Sequence, residues 1–438
     1  MSNVILTNDQ KNTSDAFLDF LVSDGTFFTI QGSAGTGKTF LIRYLLETFY
    51  SRYSAYCLLL QRDVKKFDIK ITATTNKAVN VVEDFLGDLL KTHNNIEIST
   101  IYSLLGLRVQ NNYKTGKTEL VFNKERSNYM SQVYPGIIPL IFIDEASFIS
   151  EELQEIITAT MPKDKPIKIV YIGDKYQLAP VGQSSSIMDS IKGEKAVLSE
   201  IVRNAGHILR TGIQFRDTVE TGLFKPIQFN NLDVVHMDGK QFKQAIEDSF
   251  TDPAWYPNKS KVLAWTNNRV QEYNQHIRTV LNKPKLFTEN EVAVTNEYIS
   301  SPKGRFTCNV DAEVLITKVH QDPCELYGVT GYMVELEHTY IGFMPNNFLE
   351  AKAAMKEFAA DKDWKKYFEI KETWLDLRAV YASSIHKAQG STYETVFLDL
   401  ADIGTNWNAT DVARLLYVSI TRASKHVVCY GYLPDRYQ

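Results

Sequence analysis

Gly32-Ser33-Ala34-Gly35-Thr36-Gly37-Lys38-Thr39 has the form G-x-x-x-x-G-K-[ST], and each residue type in it has a task if the ligand is a phosphate chain. The glycines let backbone N–H groups curl around phosphate oxygens, and the N-terminus of a following helix adds positive potential. Lys38 is placed to reach the β and γ phosphates, and Thr39 to hold Mg²⁺ through its hydroxyl. Asp144-Glu145 follows the apolar run Leu140 to Ile143. A carboxylate at the carboxyl end of a strand lies beside such a loop in a parallel sheet. Asp144 then binds Mg²⁺ through water, and Glu145 orients or deprotonates the attacking water. The two motifs together predict nucleoside triphosphate hydrolysis. A guanine-reading N-K-x-D is absent, because Val79 stands where Asn76-Lys77-Ala78 would need an aspartate.

Positioning these groups requires strands that alternate with helices. Phe27 to Ile30 is aromatic and β-branched, a strand signal just before the loop. Phe40, Leu41, Tyr44 and Leu45 recur at helical spacing just after it. Ile69 to Thr72 reads as a further strand, followed by a helical pattern through Val79, Val82 and Leu86. Leu140 to Ile143 and Ile167 to Ile172 read as strands buried on both faces. Strands separated by helices imply a parallel, doubly wound α/β sheet. Between Gly106 and Pro135 the pattern changes, and Val109, Lys114-Thr115-Gly116-Lys117 and Leu120 to Phe122 suggest an inserted hairpin. A second α/β set begins with Val262 to Trp265 as a strand and Val270 to Leu281 as a helix. Val292 to Phe348 carries short β-rich runs with Gly, Pro and Asn turns, as in a small barrel. Leu349 to Trp364 reads as one helix. Val396 to Leu398 and Val427 to Tyr430 return to buried strands.

The 438 residues are 44% hydrophobic and 23% charged, which excludes a disordered or fibrous chain. With 48 Lys+Arg against 52 Asp+Glu the chain is not a globally basic binder, although a local basic groove stays compatible with nucleic acid. Cys57, Cys308, Cys324 and Cys429 form no CxxC pair, so they are expected to be buried thiols rather than a zinc or redox site. The densest apolar run, Ile137 to Ile143, is broken by Pro139 and too short to span a bilayer. No leader pattern is visible at the N-terminus. The expectation is a cytoplasmic protein (in host cytoplasm if phage-encoded) with no membrane partner.

Three later motifs narrow the class. Gly173-Asp174-Lys175-Tyr176-Gln177-Leu178-Ala179-Pro180 follows a strand. Ser384-Ile385-His386-Lys387-Ala388-Gln389-Gly390-Ser391 lies late in the chain, and Leu415-Leu416-Tyr417-Val418-Ser419-Ile420-Thr421-Arg422 comes soon after. In order and spacing the whole set resembles the signature motifs of superfamily 1B helicases, the RecD-like branch, with the phage Dda type looking most similar. The resemblance covers nearly the whole chain.

It implies two RecA-like P-loop domains with parallel sheets, clamping ATP, plus an inserted hairpin (1B) and an inserted small β-barrel with a helical tower (2B). The expected boundaries are 1–107 and 136–182 for domain 1A, 108–135 for the hairpin, 183–284 and 377–438 for domain 2A, and 285–376 for barrel and tower. Gln10, in Leu6-Thr7-Asn8-Asp9-Gln10, sits where the family reads adenine. Gln177 matches the γ-phosphate sensor, and Gly390 falls with the nucleotide contacts. Arg203 and Arg422 match arginines contributed by the second domain. A planar guanidinium can bridge two oxygens of the transferring phosphoryl group, so such arginines couple hydrolysis to cleft closure.

The resemblance also implies a single-strand track. Thr74 and Asn76 match the first strand-contacting loop, and Ser99-Thr100 the next. Tyr102 replaces the usual histidine there, so that contact is not carried over. His386 and Gln389 match a further strand contact. Phe122 resembles the position of the strand-separating pin, and the alternative is a phenylalanine in the hairpin's own core. Trp364, in Asp363-Trp364-Lys365-Lys366-Tyr367-Phe368, mixes aromatics with lysines as stacking platforms do; core packing is the alternative, and Trp374 is a competing candidate. In that family the tower can meet the pin domain and brace it. The leading expectation is an ATP-dependent helicase moving 5′ to 3′ on single-stranded DNA as a monomer, with forked duplex DNA as substrate and a single-strand-binding protein as a further candidate partner. An RNA helicase on the same chassis and a nucleotide-gated binding protein without unwinding are the alternatives.

Overall fold

The computed structural model describes residues 5–92, 96–123, 129, 135–180, 186–202, 206–301 and 306–437. Contacts divide the chain into two units, Met1–Arg108 with Leu120–Leu223, and Val109–Glu119 with Phe224–Gln438.

The first unit opens with α1 (Asn8–Val22). Thr7 and Gln10 cap it reciprocally: the Thr7 hydroxyl accepts from the Gln10 N–H, and the Gln10 side chain accepts from the Thr7 N–H. This box satisfies two amide donors that a helix start leaves unpaired. The Lys168 ammonium closes the other end of the helix, donating at 2.7 Å each to the carbonyls of Phe20, Ser23 and Gly25.

Next come β1 (Phe27–Gly32), α2 (Lys38–Leu59), β2 (Lys66–Ala73), α3 (Asn76–Thr92), β3 (Ile96–Thr100) and α4 (Ile101–Leu104). They are followed by β4 (Leu107–Asn111) and β5 (Thr118–Phe122), whose hairpin turn Val109–Glu119 groups with the second unit, and then by β6 (Ile137–Asp144), α5 (Glu151–Thr160), β7 (Lys168–Gly173), β8 (Glu194–Leu198) and α6 (His207–Thr221). The main sheet runs β3-β2-β6-β7-β1-β8, all parallel. Side chains alternate across it as the pleat requires. Leu140, Phe142, Val170 and Ile172 pack with α1 and α2, while Ile141, Ile143, Ile169 and Tyr171 face α5.

Pro139 sits in a central strand, where a missing N–H is normally excluded. It is tolerated because it pairs only with Asp68 of β2; pairing to β7 begins one residue later, at Leu140.

β8 corrects the expected boundary at 182/183. Its residues Glu194 to Leu198 pair with Phe28 to Gly32 of β1, so this stretch belongs to the first sheet, and the division falls after Leu223.

In the second unit, β9 (Val234–Met237), α7 (Gly239–Thr251), β10 (Ser260–Ala264) and α8 (Asn267–Val280) precede a β-rich region. That region comprises β11 (Val292–Thr295), β12 (Ile299–Ser300), β13 (Thr307–Cys308), β14 (Glu313–Val319), β15 (Cys324–Leu326), β16 (Val329–Leu336) and β17 (Tyr340–Pro345). Two helices follow, α9 (Phe348–Ala360) and α10 (Trp364–Thr373). The chain then returns through β18 (Leu377–Ala379), β19 (Ala382–Ser384), α11 (Ile385–Ala388), β20 (Tyr393–Asp399), α12 (Leu400–Ile403), α13 (Ala409–Thr421) and β21 (Ala423–Tyr430).

The second parallel sheet has the order β19-β10-β20-β21-β9. The barrel strands form an antiparallel sheet, β15-β16-β14-β11-β18, with β17 on β16. The expected single helix over Leu349 to Trp364 is two helices. The first ends at Ala360, and Lys362 turns the chain with φ of 56°. Cys57, Cys308 and Cys429 are buried, Cys324 is half-buried, and all four are free thiols. Among the described residues, no helix is long and apolar enough to cross a membrane and no cluster of His, Cys, Asp or Glu could hold a metal by itself.

Candidate nucleotide site and nucleic-acid interface

The predicted phosphate groups gather at the carboxyl edge of the first sheet. Gly32, Gly173 and Asp144 end the adjacent strands β1, β7 and β6. A side chain on Gly32 would meet the Thr36 hydroxyl at 2.6 Å and Leu198 Cβ at 3.1 Å. Gly35 and Gly37 adopt φ of 82° and 80°, in the left-handed region, which only glycine enters at no steric cost. Gly37 caps α2 without any side-chain bond, so the first amides of that helix keep their donors for a phosphate. Ser33 and Thr36 are buried, and the Thr36 hydroxyl donates to the Ser33 carbonyl at 2.9 Å. Ala34 lies half-buried between them. Lys38 folds back on the loop, its ammonium donating to the carbonyls of Gly32 at 2.6 Å and Ser33 at 3.3 Å. To meet a phosphate it has only to exchange these carbonyls for phosphate oxygens.

Gln10 lies against this loop. Its amide donates to the Thr36 carbonyl at 3.2 Å, and a Cβ on Gly37 would fall 2.6 Å from the same nitrogen. The amide has a second N–H and a second lone pair to offer a base. Asp9, beside it, was not singled out from the sequence. One of its carboxylate oxygens accepts from the Ser199 N–H at 2.8 Å, the Ser199 hydroxyl at 2.6 Å and the Glu200 N–H at 2.9 Å. The Ser199 hydroxyl and these backbone donors hold its carboxyl below the usual range. Two residues on, the Val202 N–H donates to the Gly35 carbonyl at 3.0 Å. The segment after β8 is thus stitched to the start of α1 and to the phosphate loop. Arg203 itself lies outside the described residues.

Asp144 is buried, and burial pushes its carboxyl pKa up against the opposing effects of the Glu145 N–H and the Lys38 charge. A buried carboxylate with this unmet need for positive charge, taken with the Thr39 hydroxyl in the first turn of α2, gives an all-oxygen donor set that suits Mg²⁺. Glu145 takes a left-handed conformation with φ of 49° as the chain leaves β6, which costs a non-glycine residue roughly 1–3 kcal/mol. The turn after it packs on the end of β7: a Cβ on Gly173 would lie 3.1 Å from the Ser147 nitrogen. Gln177 is buried in the next turn, where its N–H donates to the Asp174 carbonyl at 3.1 Å.

The strand-contact candidates of this unit lie on the same edge. Ala73 pairs with Asp144 on one side and with Thr100 on the other. Thr74 and Asn76 leave the end of β2, and Ser99-Thr100 ends β3. The Thr74 hydroxyl is buried without a hydrogen-bond partner, and Asn76 is exposed. The Thr100 oxygen accepts from the Ser103 N–H at 3.1 Å and caps α4, which leaves its O–H free to donate. Phe122, at the end of β5, is 52% exposed and therefore is not a hairpin core residue.

In the second unit, Arg422 is buried at the end of α13. Its guanidinium donates to the carbonyls of Ser391 at 3.2 Å and Val418 at 3.3 Å. Gly390, with φ of 79° and open space where a Cβ would stand, adjoins it, so these two nucleotide candidates come together. His386 is exposed on α11, yet surrounding protein lowers its pKa, opposed by the Asp411 charge. Gln389 is buried just beyond. Lys387, missed in the sequence, ties α11 to the barrel: its ammonium pairs with Asp311 at 2.6 Å and donates to Asn296 at 3.0 Å.

Trp364 is used differently from the stacking expectation. The turn of the hairpin, Gly116 with φ of 71°, lies so close to its ring that a Cβ there would approach to 2.3 Å. The same face of α10 carries Phe368, edge-to-face with Tyr113 at 5.2 Å. It also carries Lys371, which donates to Thr118 at 3.1 Å, and Glu372, which accepts from Asn111. These positions follow the i, i+4, i+7, i+8 stripe of a helix. Trp374 is buried against Phe343 and Tyr327. The helix that meets the hairpin is α10 and not the stretch from Leu349 expected to form the tower.

A family model described as an AAA domain matches residues 6–216, and one described as a UvrD-like helicase C-terminal domain matches residues 379–430. An uncharacterized protein of Acanthamoeba polyphaga mimivirus is 24% identical over 507 residues, covering 95% of this chain and 98% of that protein. The ATP-dependent DNA helicase dda of Enterobacteria phage T4 is 22% identical over 476 residues, covering 95% and 97%. Among solved structures, Pif1 helicase from Bacteroides in complex with ADP-AlF3 and ssDNA aligns with a TM-score of 0.50 at 13% identity, covering 99% of this chain and 94% of that one. That last likeness is one of fold.

Proposed function

The chain belongs to the superfamily 1B helicases, alongside Dda, RecD and Pif1, and from that premise we propose how its residues divide the work of an ATP-dependent DNA helicase. The observation that carries the assignment is the shared edge of the first sheet. The ends of β1, β7 and β6 hold the phosphate loop, Gln177 and the Asp144-Glu145 pair. The next two strands, β2 and β3, end in Thr74, Asn76, Ser99 and Thr100. A shift at the γ-phosphate therefore reaches the strand-contact loops through two neighbouring strand ends.

In this reading the amides of Gly35 to Thr39 and the Lys38 ammonium hold the phosphates, and Gln10 meets the adenine. Thr39 and Asp144 would hold Mg²⁺, which would supply charge neutralisation to the phosphates. Glu145 positions and deprotonates the attacking water, and Gln177 senses the γ-phosphate. Arg203 and Arg422 stabilise the charge that spreads over the phosphoryl oxygens. Hydroxyls and amides of Thr74, Asn76, Ser99 and Thr100, with His386 and Gln389, grip the strand's phosphates and bases. Movement is 5′ to 3′ as a monomer. Phe122 is exposed and supplies an apolar wedge. The hairpin turn held on α10 passes force to the fork, where unstacking a base costs a few kcal/mol per step.

ATP hydrolysis should be measured with single-stranded DNA, with single-stranded RNA and with neither, beside Lys38→Ala. Many-fold stimulation by DNA that Lys38→Ala abolishes supports the reading. Stimulation mainly by RNA would replace the substrate, and turnover indifferent to any strand would refute the motor.

A further inference from the structure

Trp407 is 82% exposed, the most exposed aromatic side chain among the described residues. It is nevertheless held in place from both sides. Tyr437 donates its hydroxyl to the Asn406 carbonyl at 2.8 Å, and the Arg436 guanidinium donates to the Gly404 carbonyl at 2.8 Å. That guanidinium lies 4.1 Å from the centre of the Trp407 ring and 4.8 Å from that of Tyr437. On the other side, Asn408 caps α13 by accepting from the Asp411 N–H at 3.2 Å. The result is an indole on a fixed stretch of backbone, with the Arg436 guanidinium over its ring and most of its surface left to solvent.

Its place in the sheet gives it a direction. β19 ends at Ser384 and leads into His386, while β20 ends at Asp399 and leads through α12 to Trp407. In the order β19-β10-β20 these parallel strands are two apart, about 10 Å at ordinary strand spacing. Asp411, in the first turn of α13, stands close enough to His386 to influence its pKa. The indole and the strand-contact turn thus share one edge.

We propose that Trp407 is a base-stacking platform that extends the single-stranded DNA track beyond His386, with Arg436 as its cationic companion. A lone ring with a guanidinium on it suits a nucleobase and its phosphate better than a protein, which would need a broader apolar patch. Stacking on a fixed ring carries little ordering cost, and the remaining N–H groups of Arg436 can meet a phosphate oxygen. The inference rests on the reading of α11 as a strand contact.

The test uses the full chain with labelled oligothymidylate, read by fluorescence anisotropy, and a series of oligonucleotides carrying one abasic position each. Trp407→Ala is expected to weaken binding about 5- to 100-fold, and Trp407→Phe to restore most of it. The wild-type chain should be sensitive to an abasic site at a position where Trp407→Ala is indifferent. Unchanged affinity and an unchanged abasic profile in Trp407→Ala would overturn the platform. So would a loss accompanied by a lowered Tm and no rescue by phenylalanine. If His386→Ala weakens binding while Trp407→Ala does not, the platform alone falls. If the wild-type chain binds no strand, the underlying reading falls with it.

Discussion

Replacing Gly116 by alanine tests whether the hairpin is braced. The substitution puts a side chain at φ of 71° and drives its Cβ to 2.3 Å from the Trp364 ring. The backbone term costs about 1–2 kcal/mol, and forcing a methyl into an occupied space costs about 1–3 kcal/mol. The lock it opposes consists of the Tyr113–Phe368 ring pair and the Asn111–Glu372 and Lys371–Thr118 bonds. At about 1 kcal/mol each, the lock holds the turn on α10 by roughly 3 kcal/mol. The penalty therefore takes a turn docked more than ~99% of the time to one docked between ~85% and a few per cent. Fork unwinding per ATP consumed should fall in proportion, while ATP turnover on single strands stays near wild type. Amide exchange over Asn111 to Thr118 reports whether the turn has left the helix. A variant whose turn exchanges fast and which still unwinds with wild-type yield per ATP would refute the brace.

Other substitutions probe the nucleotide side. Gly37→Ala combines φ of 80° with a 2.6 Å approach to the Gln10 amide, and should raise KM for ATP at least tenfold; an unchanged KM would separate Gln10 from the nucleotide. Asp9→Ala releases three donors and should raise KM for ATP severalfold with single-strand affinity unaltered, both read by steady-state kinetics and anisotropy. Lys168→Met strips a charged donor from three carbonyls and should lower stability by about 2–4 kcal/mol, measured by denaturant titration. Burial lowers the Lys168 pKa to about 8, so between there and ~10.4 the unfolded chain binds more protons than the folded one. Stability of the wild type relative to Lys168→Met should accordingly rise across that window, and a flat difference would contradict it.

Much of the candidate nucleotide site is legible in the sequence because its chemistry is local. Glycines at fixed spacing, a lysine and a hydroxyl name a phosphate loop, and buried strand runs place Asp144 and Gln177 at neighbouring ends. β8 was not legible. Glu194 to Leu198 is short and largely solvent-facing at a sheet edge, so it lacks the apolar run that marks a buried strand, and the sequence pattern places the boundary before it. The break between α9 and α10 falls at Asp361-Lys362-Asp363, where a lysine takes the left-handed turn that glycine usually supplies. Trp364 carried a composition that suits a base or a packing partner equally. Only the position of Gly116, distant in sequence, decides between them. Asp9 and Lys387 act through partners far along the chain, which no local pattern reveals.

ATP hydrolysis by this chain is expected to drive directional opening of duplex DNA. The most direct measurement is strand separation on two forked substrates, one with a loading tail only on the 5′ side and one only on the 3′ side, with ATP, without it, and with Lys38→Ala. ATP-dependent opening of the 5′-tailed substrate, abolished in Lys38→Ala, is the expected result. Opening only from the 3′ tail would reverse the polarity. Robust DNA-stimulated hydrolysis with neither substrate opened would contradict the claim.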